Sequence, residues 1–270
     1  MYQSDYVDFI ARIRQGNPSP GGLSLLRQSL HGISPLTSDA KILEIGSNTG
    51  SSLAALAEMF PTQSIIGIDI SPKMTEVAKE YINDLQESGL LVNKNVLVKT
   101  DDAQNLAFSN ETFDLIVSGG TLSFVEDRES AVKEMERVLK PGGYLLSLEY
   151  CYKEDITPPQ DLQYKITNLL EFDVSRLNLT YWNNIHLQGS LYMEGLQVFK
   201  PYIHRAKNVK NTVDSVSDYL QRGNRTLSDN DRSKLSESLN LFIQNEQYLL
   251  LAVYTMRKLQ GTKLLMDVVN

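Results

Sequence analysis

Residues 41–150 alternate between short apolar runs and segments with helical spacing, and this alternation limits the chain to few folds. Five runs have the length and apolar character of buried strands, at 41–46, 64–69, 95–100, 113–120 and 144–150. Helical patterns separate them at 51–60, 71–89 and 128–140, and a Pro-Gly-Gly turn stops the last one. Strands separated by helices require right-handed crossovers. The sequence therefore predicts an α/β fold, with a parallel sheet covered by helices on both faces.

The chain before this alternation has two short helical patterns. Ser4 can cap a helix that ends near Gly16, and a second helix is predicted over residues 23–30 after a turn. These helices are too short to form a domain. We expect residues 1–37 to lie as a helical cap across the mouth of the main domain.

The chain after the alternation is predicted to add an insertion and then complete the same sheet. Residues 151–213 are polar and aromatic with weak periodicity, whereas helical patterns return at 214–222 and 229–245 and a late strand is predicted at 248–258. The predicted single domain of residues 1–270 divides into residues 1–37, 38–150, 151–213 and 214–270.

Composition narrows the possible functions. Lys and Arg number 26 against 33 Asp and Glu, and the resulting net charge of −7 disfavours nucleic acid as the main partner. Cys151 is the one cysteine, so a disulfide framework is impossible and a cysteine-based metal site is not expected. No run approaches the ~20 apolar residues of a membrane span, and the first residues lack a signal peptide's apolar core. We expect a cytoplasmic protein without a membrane partner.

A glycine-bearing loop follows the first predicted strand and opens the first helix of the alternation. It runs from Glu44 to Gly50, with Gly46 and Gly50 four residues apart and Asn48 between them. Ligands of open α/β sheets bind at the carboxyl ends of the strands, where glycine allows close approach to the backbone. Asp69 ends the next strand, and an acid there commonly binds a ribose diol. These features fit a dinucleotide or another adenosine ligand.

Two further segments favour one of these ligands. Residues 100–120 place an acidic pair after the third strand, then an apolar anchor and a strand that opens with Phe-Asp. Residues 136–150 contain a helix end, a Pro-Gly-Gly turn and a strand. In this order and spacing, residues 38–150 resemble a class I S-adenosylmethionine-dependent methyltransferase. The resemblance implies a Rossmann-like fold with a mostly parallel seven-stranded sheet, and S-adenosylmethionine as cofactor.

The same resemblance implies a role for individual residues. The loop would bind the methionine part of the cofactor, with Asn48 in place of the family's central glycine. Asp69 would bind the ribose, Asp102 the adenine amine and Ala103 a ring nitrogen, while Asp101 is expected to be an exposed turn residue. The predicted cofactor-binding residues are Glu44, Gly46, Ser47, Asn48, Thr49, Gly50, Asp69, Ile70, Met74, Asp102, Ala103, Ser118 and Gly119. No metal site is expected, because methyl transfer from a sulfonium needs no activating metal.

The methyl acceptor is expected to meet the insertion, which is rich in aromatic and acidic residues. Aromatic walls with carboxylates suit a flat or extended acceptor with a cationic end. We predict Trp182, Tyr152 and Tyr181 as substrate-binding residues. Asp161 is predicted as the catalytic carboxylate that orients an amine and accepts its proton.

The acceptor is predicted to be an amine on a small molecule or peptide. The chain's size, N-terminal helices and insertion are similar to those of the plantazolicin-type methyltransferases, which dimethylate the N-terminal arginine amine of azole-containing ribosomal peptides. This resemblance implies acids at the arginine end and aromatics along the azole chain. Two alternatives stay open: O- or C-methylation of a small metabolite, and a non-catalytic protein that keeps a cofactor-binding fold.

Overall fold

A seven-stranded, mostly parallel sheet is the centre of the structure, as the sequence predicts. The structure is a computed structural model that describes residues 4–14, 20–172, 174, 177–201 and 208–259. The strands are β1 (Lys41–Ile45), β2 (Ser64–Asp69), β3 (Val96–Thr100), β4 (Phe113–Gly119), β5 (Leu139–Tyr152), β6 (Leu191–Phe199) and β7 (Leu249–Lys258). Their order in the sheet is β3-β2-β1-β4-β5-β7-β6. The first five strands pair in parallel, and β7 lies antiparallel between β5 and β6.

Helices cover both faces of this sheet. The described part of the chain forms α1 (Asp5–Ile13), α2 (Gly22–Leu30), α3 (Ser51–Met59), α4 (Pro72–Glu87), α5 (Arg128–Val138), α6 (Gln160–Leu170), α7 (Leu179–His186), α8 (Val209–Arg222) and α9 (Asp229–Asn245). One apolar core lies on each face, since Leu43 and Ile45 belong to one cluster and Ile42 to the other. This arrangement confirms the predicted Rossmann-like α/β fold. None of these helices combines the length and the apolar character that a membrane span needs.

Local sequence signals set several helix starts. The Ser4 hydroxyl accepts a hydrogen bond from the Val7 amide at 2.9 Å and caps α1. The Ser71 hydroxyl caps α4 in the same way, and Pro72 occupies the first helical position, where its missing N–H costs nothing. The late strand also lies where the sequence predicts it, in the same sheet.

Two boundaries differ from the predictions, and one strand was not predicted. Helix α1 ends at Ile13, because Arg14 adopts a left-handed backbone with φ 51°; Gly16 and residues 17–19 of the predicted turn lie outside the described residues. Strand β5 begins at Leu139 rather than at residue 144, since Leu139 pairs with Phe113 and the Pro-Gly-Gly turn becomes an irregularity within the strand. Strand β6 was missed in the insertion, because both of its faces are half-exposed and its apolar alternation is weak.

Candidate functional site

A large cavity opens at the carboxyl ends of the central strands. Its volume is about 520 Å³. Strand β1 pairs with β2 on one side and β4 on the other, so the strand order reverses beside β1. Ligands of open α/β sheets bind at such a reversal. Of the predicted cofactor-binding residues, those on the cavity wall are Gly46, Asn48, Asp69, Ile70, Met74, Asp102, Ala103 and Gly119.

The loop after β1 can take its shape only with glycine at its first position. Gly46 has φ +73°, and a Cβ atom there would lie 2.0 Å from Thr121 Oγ1. Thr121 cannot easily move away, because its hydroxyl donates to the Ile45 carbonyl at 2.8 Å. Asn48 follows in a left-handed conformation with φ 49°, which asparagine tolerates better than most residues. The loop backbone therefore lies bare against the cavity.

Asp69 links this loop to the start of α4. Its Oδ2 accepts from the Asn48 amide at 3.0 Å, and its Oδ1 accepts from the Ser71 amide at 2.9 Å. Burial raises the pKa of Asp69, and these two backbone donors counteract part of that shift. Each carboxylate oxygen retains a further lone pair. The side chain can thus accept hydrogen bonds from a ligand in the cavity.

The turn after β3 supplies two more carboxylates. Asp102 Oδ1 accepts from the Gln104 amide at 2.9 Å, and Asp101 Oδ2 accepts from the Ala107 amide at 3.1 Å. Asp101 is half-buried and lines the cavity, so its interpretation as an exposed turn residue was wrong. Its two oxygens hold the turn that presents Asp102 and Ala103 to the cavity.

Five predicted cofactor residues lie behind the wall rather than on it: Glu44, Ser47, Thr49, Gly50 and Ser118. Glu44 is buried in β1, and burial raises its pKa to about 8, with Ser52 acting in the opposite direction through a hydrogen bond. The side-chain oxygens Glu44 Oε2, Ser47 Oγ and Ser118 Oγ have no hydrogen-bond partner among the described residues. These five residues do not line the cavity; their assignment as cofactor-binding stays a prediction.

The other end of the cavity has an aromatic and aliphatic wall. Phe172 is its centre, with ring-centroid distances of 5.8 Å to Phe124, 6.4 Å to Tyr150 and 6.1 Å to Tyr152. Residues from α1, the 3₁₀ helix Thr121–Phe124, β5, α6, the segment after α6, α9 and β7 form this acceptor wall: Tyr6, Ile10, Phe124, Tyr150, Ile166, Leu170, Phe172, Phe242, Asn245 and Leu249. Helix α1 contributes Tyr6, Val7 and Ile10 to the cavity, whereas Leu26 and Leu30 of α2 pack in the core on the other face, so a cap formed by residues 1–37 stays a prediction.

Two phenols, those of Tyr6 and Tyr150, belong to the acceptor wall. Burial raises the pKa of Tyr150 to about 12, and burial together with the nearby Tyr150 raises the pKa of Tyr6. Both side chains are therefore uncharged near neutral pH. In the described part of the chain, no Asp or Glu belongs to the acceptor wall, and the cavity's carboxylates are Asp69, Asp101, Asp102 and Glu126.

The four residues predicted on the acceptor side do not line the cavity. Asp161 is exposed in the first turn of α6, away from the cavity, so the geometry does not support its predicted catalytic role. Trp182 is fully buried, and its indole Nε1 donates to the Tyr150 carbonyl at 3.1 Å. Tyr152 and Tyr181 stand one layer back: Tyr152 accepts a hydrogen bond from Asn245, and Tyr181 packs against Arg128.

The three aromatic residues predicted to bind substrate, Trp182, Tyr152 and Tyr181, support the acceptor wall from behind. Arg128 donates to the carbonyls of Leu122 and Ser123 and so fixes the 3₁₀ helix that carries Phe124, while Tyr181 lies 5.9 Å from the guanidinium carbon. Of the wall residues that the sequence interpretation missed, four are on α1 and α9: Tyr6, Ile10, Phe242 and Asn245. Their only signal is an apolar stripe on each helix, and that stripe equally predicts core packing.

Residues 43–147 match the protein family described as "Methyltransferase domain". A demethylmenaquinone methyltransferase from Staphylococcus aureus is 38% identical over 110 residues, which cover 40% of this chain and 42% of the relative. The chain therefore matches less than half the length of that relative.

Solved structures are similar over nearly the whole chain. The crystal structure of MccD protein is 19% identical, with a TM-score of 0.69, and the similarity covers 90% of this chain and 100% of that one. A Haemonchus contortus phosphoethanolamine N-methyltransferase, solved with S-adenosylhomocysteine, is 19% identical with a TM-score of 0.72, covering 94% of this chain and 57% of that one. At 19% sequence identity, these two similarities show that the fold is shared.

The residues of the cavity fit S-adenosylmethionine. The bare loop at Gly46 leaves room that a Cβ would fill, and Asp69 and Asp102 offer carboxylates at the ends of β2 and β3. Apolar side chains between these carboxylates, such as Met74, suit a purine ring. Among the described residues, no group of His, Cys, Asp and Glu has the geometry of a metal site.

Replacing Gly46 by alanine tests the fit of the loop. Gly46→Ala is expected to weaken S-adenosylhomocysteine binding by about tenfold or more, because a left-handed non-glycine residue costs about 1–3 kcal/mol and the methyl group meets Thr121. Isothermal titration calorimetry measures the affinity. Gly89→Ala is the control, since Gly89 has the same φ of +73° with no atom near its Cβ position. Equal binding by the two variants would contradict the steric argument.

Proposed function

We infer that this protein is an S-adenosylmethionine-dependent methyltransferase that methylates an amine on an apolar small molecule or peptide. The starting point is the match of residues 43–147 to a methyltransferase domain. S-adenosylmethionine is the cofactor of this domain. One observation carries the proposal about the acceptor: the same cavity extends from the loop at Gly46 to an aromatic wall without carboxylates. A methyl donor and an apolar acceptor can therefore meet inside one cavity.

The chemistry required of the chain is positioning and exclusion of water. The bound cofactor supplies an electrophilic methyl group on a positively charged sulfur. An acceptor nitrogen that takes this methyl group becomes positively charged and then releases a proton to solvent. The aromatic faces of Phe124, Tyr150 and Phe172 favour this charge by cation–π attraction, and Tyr6 and Ile10 of α1 add to the cavity lining.

The acceptor wall also favours the reactive form of an amine. A protonated amine has no lone pair, and burial away from carboxylates lowers the pKa of a bound amine because desolvation disfavours its charged form. The described acceptor wall contains no Asp or Glu, and the nearby Glu171 lies outside the cavity, where it accepts hydrogen bonds from the Ser4 hydroxyl and the Tyr6 amide. We therefore propose that the enzyme binds its amine unprotonated and needs no buried general base.

The N-terminal arginine of an azole-containing peptide is the finer form of this proposal. Its azole chain would suit the aromatic wall. Its guanidinium would require a carboxylate, and in the described cavity these are Asp69, Asp101 and Asp102 at the ends of β2 and β3, and Glu126 two residues after Phe124. Arginine-headed peptides are therefore one group in the acceptor screen rather than its only target.

Methylation of oxygen or carbon on a flat metabolite is the second candidate. An uncharged aromatic wall also suits a phenol or a hydroquinone ring, and the matching Staphylococcus aureus relative is a demethylmenaquinone methyltransferase. Its matching segment covers 40% of this chain, so the acceptor wall of α6 and α9 is not compared in that match. The atom that receives the methyl group distinguishes the two candidates.

Two measurements test the proposed function. Calorimetry with S-adenosylhomocysteine is expected to show one binding site, and absence of binding would overturn the cofactor assignment. A screen with methyl-labelled S-adenosylmethionine then compares uncharged aromatic amines, aliphatic amines, arginine-headed peptides and phenols. Mass spectrometry locates the added methyl group. Products methylated only on oxygen or carbon would overturn the amine proposal.

Phe172 provides the test of the acceptor wall. Phe172→Ala is expected to raise KM for the amine found in the screen by about tenfold or more, because it removes the ring at the centre of the wall, and burying an apolar side chain of this size contributes about 1.5–3 kcal/mol. Cofactor affinity should not change. Tyr164→Ala is the control, because Tyr164 is an aromatic residue of the same insertion that is 73% exposed and outside the cavity. If both variants had the wild-type KM, the aromatic wall would not bind the acceptor.

A further inference from the structure

The side-chain amide of Gln104 joins two segments of the cavity wall. Gln104 is half-buried, lines the cavity and lies in the turn after β3. Its Oε1 accepts from the Asp127 amide at 2.9 Å, and its Nε2 donates to Asp102 Oδ1 at 3.2 Å. Asp127 directly follows the wall residues 124–126 and caps α5. One side chain thus ties the turn after β3 to the start of a helix.

The neighbours of this amide fix its orientation. A backbone N–H only donates, so the atom that faces the Asp127 amide is the side-chain oxygen of Gln104, and the NH₂ group faces Asp102. Asp127 is itself held, because its carboxylate accepts from the Ser130 amide at 3.0 Å and from the Ser130 hydroxyl at 2.7 Å. Gln104 therefore presents its NH₂ group to Asp102 from a position that is anchored at the N-terminus of α5.

The contacts with Gln104 hold the Asp102 carboxylate in one orientation. Asp102 is half-buried and lines the cavity. Its Oδ1 accepts from the Gln104 backbone amide at 2.9 Å and from the NH₂ group at 3.2 Å, whereas its Oδ2 lies 3.4 Å from that NH₂ group. Each carboxylate oxygen has two lone pairs, so Asp102 keeps acceptor capacity for a donor in the cavity.

We propose that Gln104 is a positioning residue that holds Asp102 and thereby makes the cavity select a purine with a 6-amino group over one with a 6-oxo group. This inference rests on the proposed function and on the predicted contact between Asp102 and the adenine amine. It assigns Gln104 a role that the methyltransferase resemblance does not imply.

The selection follows from the hydrogen-bonding groups of the two purines. Adenine carries a donating NH₂ group at position 6, whereas hypoxanthine carries an accepting oxygen there. An ionised carboxylate only accepts, so it pairs with the first group and repels the second. A carboxylate that is free to turn can rotate away from a 6-oxo group and tolerate it. A carboxylate held by Gln104 stays opposed to that oxygen.

Two ligands that differ at this one position test the proposal without a known methyl acceptor. S-adenosylhomocysteine carries the 6-amino group, and S-inosylhomocysteine carries an oxygen there. Isothermal titration calorimetry gives the Kd of each ligand. The measured quantity is the Kd of S-inosylhomocysteine divided by the Kd of S-adenosylhomocysteine. A general loss of structure weakens both ligands alike and leaves this ratio unchanged, so the ratio reports the positioning of the carboxylate.

We expect a wild-type ratio of about ten or more, and a fall of about fivefold in Gln104→Met, which has similar length and no N–H group. Gln104→Glu, measured above neutral pH, should lower the ratio as well, because its carboxylate accepts from the Asp127 amide but cannot donate to Asp102. Gln86→Met is the matched control and should keep the wild-type ratio, because Gln86 donates to the Asn93 carbonyl at 2.8 Å outside the cavity.

Several results would overturn the proposal. They are a wild-type ratio near one, an unchanged ratio in either folded Gln104 variant, and an equal fall of the ratio in Gln86→Met. Asp102→Asn should bring the ratio close to one, and a wild-type ratio in that variant would show that another group selects the purine. Failure of the wild type to bind S-adenosylhomocysteine would overturn the proposed function itself, and this inference with it. The other results leave the cofactor assignment intact, so the two failures are distinguishable.

Discussion

Asp69→Asn is expected to weaken S-adenosylhomocysteine binding on the order of 100-fold while the protein stays folded. The carboxylate lies at the carboxyl end of β2 on the cavity wall, and both of its oxygens already accept backbone hydrogen bonds from Asn48 and Ser71. An asparagine keeps the shape but removes the charge, and its NH₂ group would face one of those amide donors. The variant therefore loses charge-assisted hydrogen bonds to the ligand and part of the order of the loop.

Calorimetry measures this loss, and circular dichroism checks the fold. Asp114→Asn is the control, since Asp114 binds the Lys41 amide and the Lys140 ammonium near the opposite ends of the strands. Its cofactor affinity should equal that of the wild type. An Asp69→Asn protein with wild-type affinity would show that this carboxylate does not bind the ligand, and the assignment of the cavity to S-adenosylmethionine would lose its strongest polar contact.

The sequence predicts well those site residues that lie close in the chain to the end of a strand. Gly46, Asn48 and Asp102 reach the cavity because each follows the end of a strand, and parallel strands end at the same edge of a sheet. Once the strands are located, the positions of these residues follow. Asp101 was misinterpreted because an acidic residue in a turn is usually exposed, whereas this one is held by backbone donors on the cavity wall.

The acceptor wall could not be predicted in the same way. Tyr6 and Asn245 lie near opposite ends of the chain, and only the packing of α1 and α9 over the sheet brings them to one cavity. Trp182 and Phe172 are both apolar aromatics of the insertion, and residue type does not distinguish the one that packs in the core from the one on the wall. Strand β6 was missed for a related reason, since an edge strand with two half-exposed faces has little apolar alternation.

Glu149 makes the stability of the protein fall as the pH rises. It lies fully buried in β5, where Oε1 accepts from Ser147 Oγ at 2.7 Å and Oε2 has no partner among the described residues. Burial raises its pKa from 4.5 to about 8, although the Ser147 hydrogen bond and the charge of Arg128 act in the opposite direction. The folded protein therefore keeps this carboxyl protonated at neutral pH.

The direction of the pH effect follows from proton binding. Between about pH 4.5 and pH 8 the folded state keeps the Glu149 proton and the unfolded state has released it. Because the unfolded state binds fewer protons at this group over the window, the contribution of Glu149 to the free energy of unfolding decreases with rising pH, by at most about 1.4 kcal/mol per pH unit. Glu44, whose pKa burial also raises to about 8, adds a second contribution of the same sign.

Chemical denaturation between about pH 7 and pH 8 measures the slope, because below that window the buried His186, whose pKa burial lowers to about 3, contributes with the opposite sign. Glu149→Gln is expected to reduce it by about half, because the amide cannot titrate and Glu44 continues to contribute. Glu76→Gln, an exposed carboxyl on α4, should leave the slope unchanged. A Glu149→Gln protein with the full wild-type slope would mean that Glu149 is ionised inside the fold. The charge of Arg128 would then have to compensate for its burial, and that pair, rather than a neutral carboxyl, would lie between α5 and the sheet.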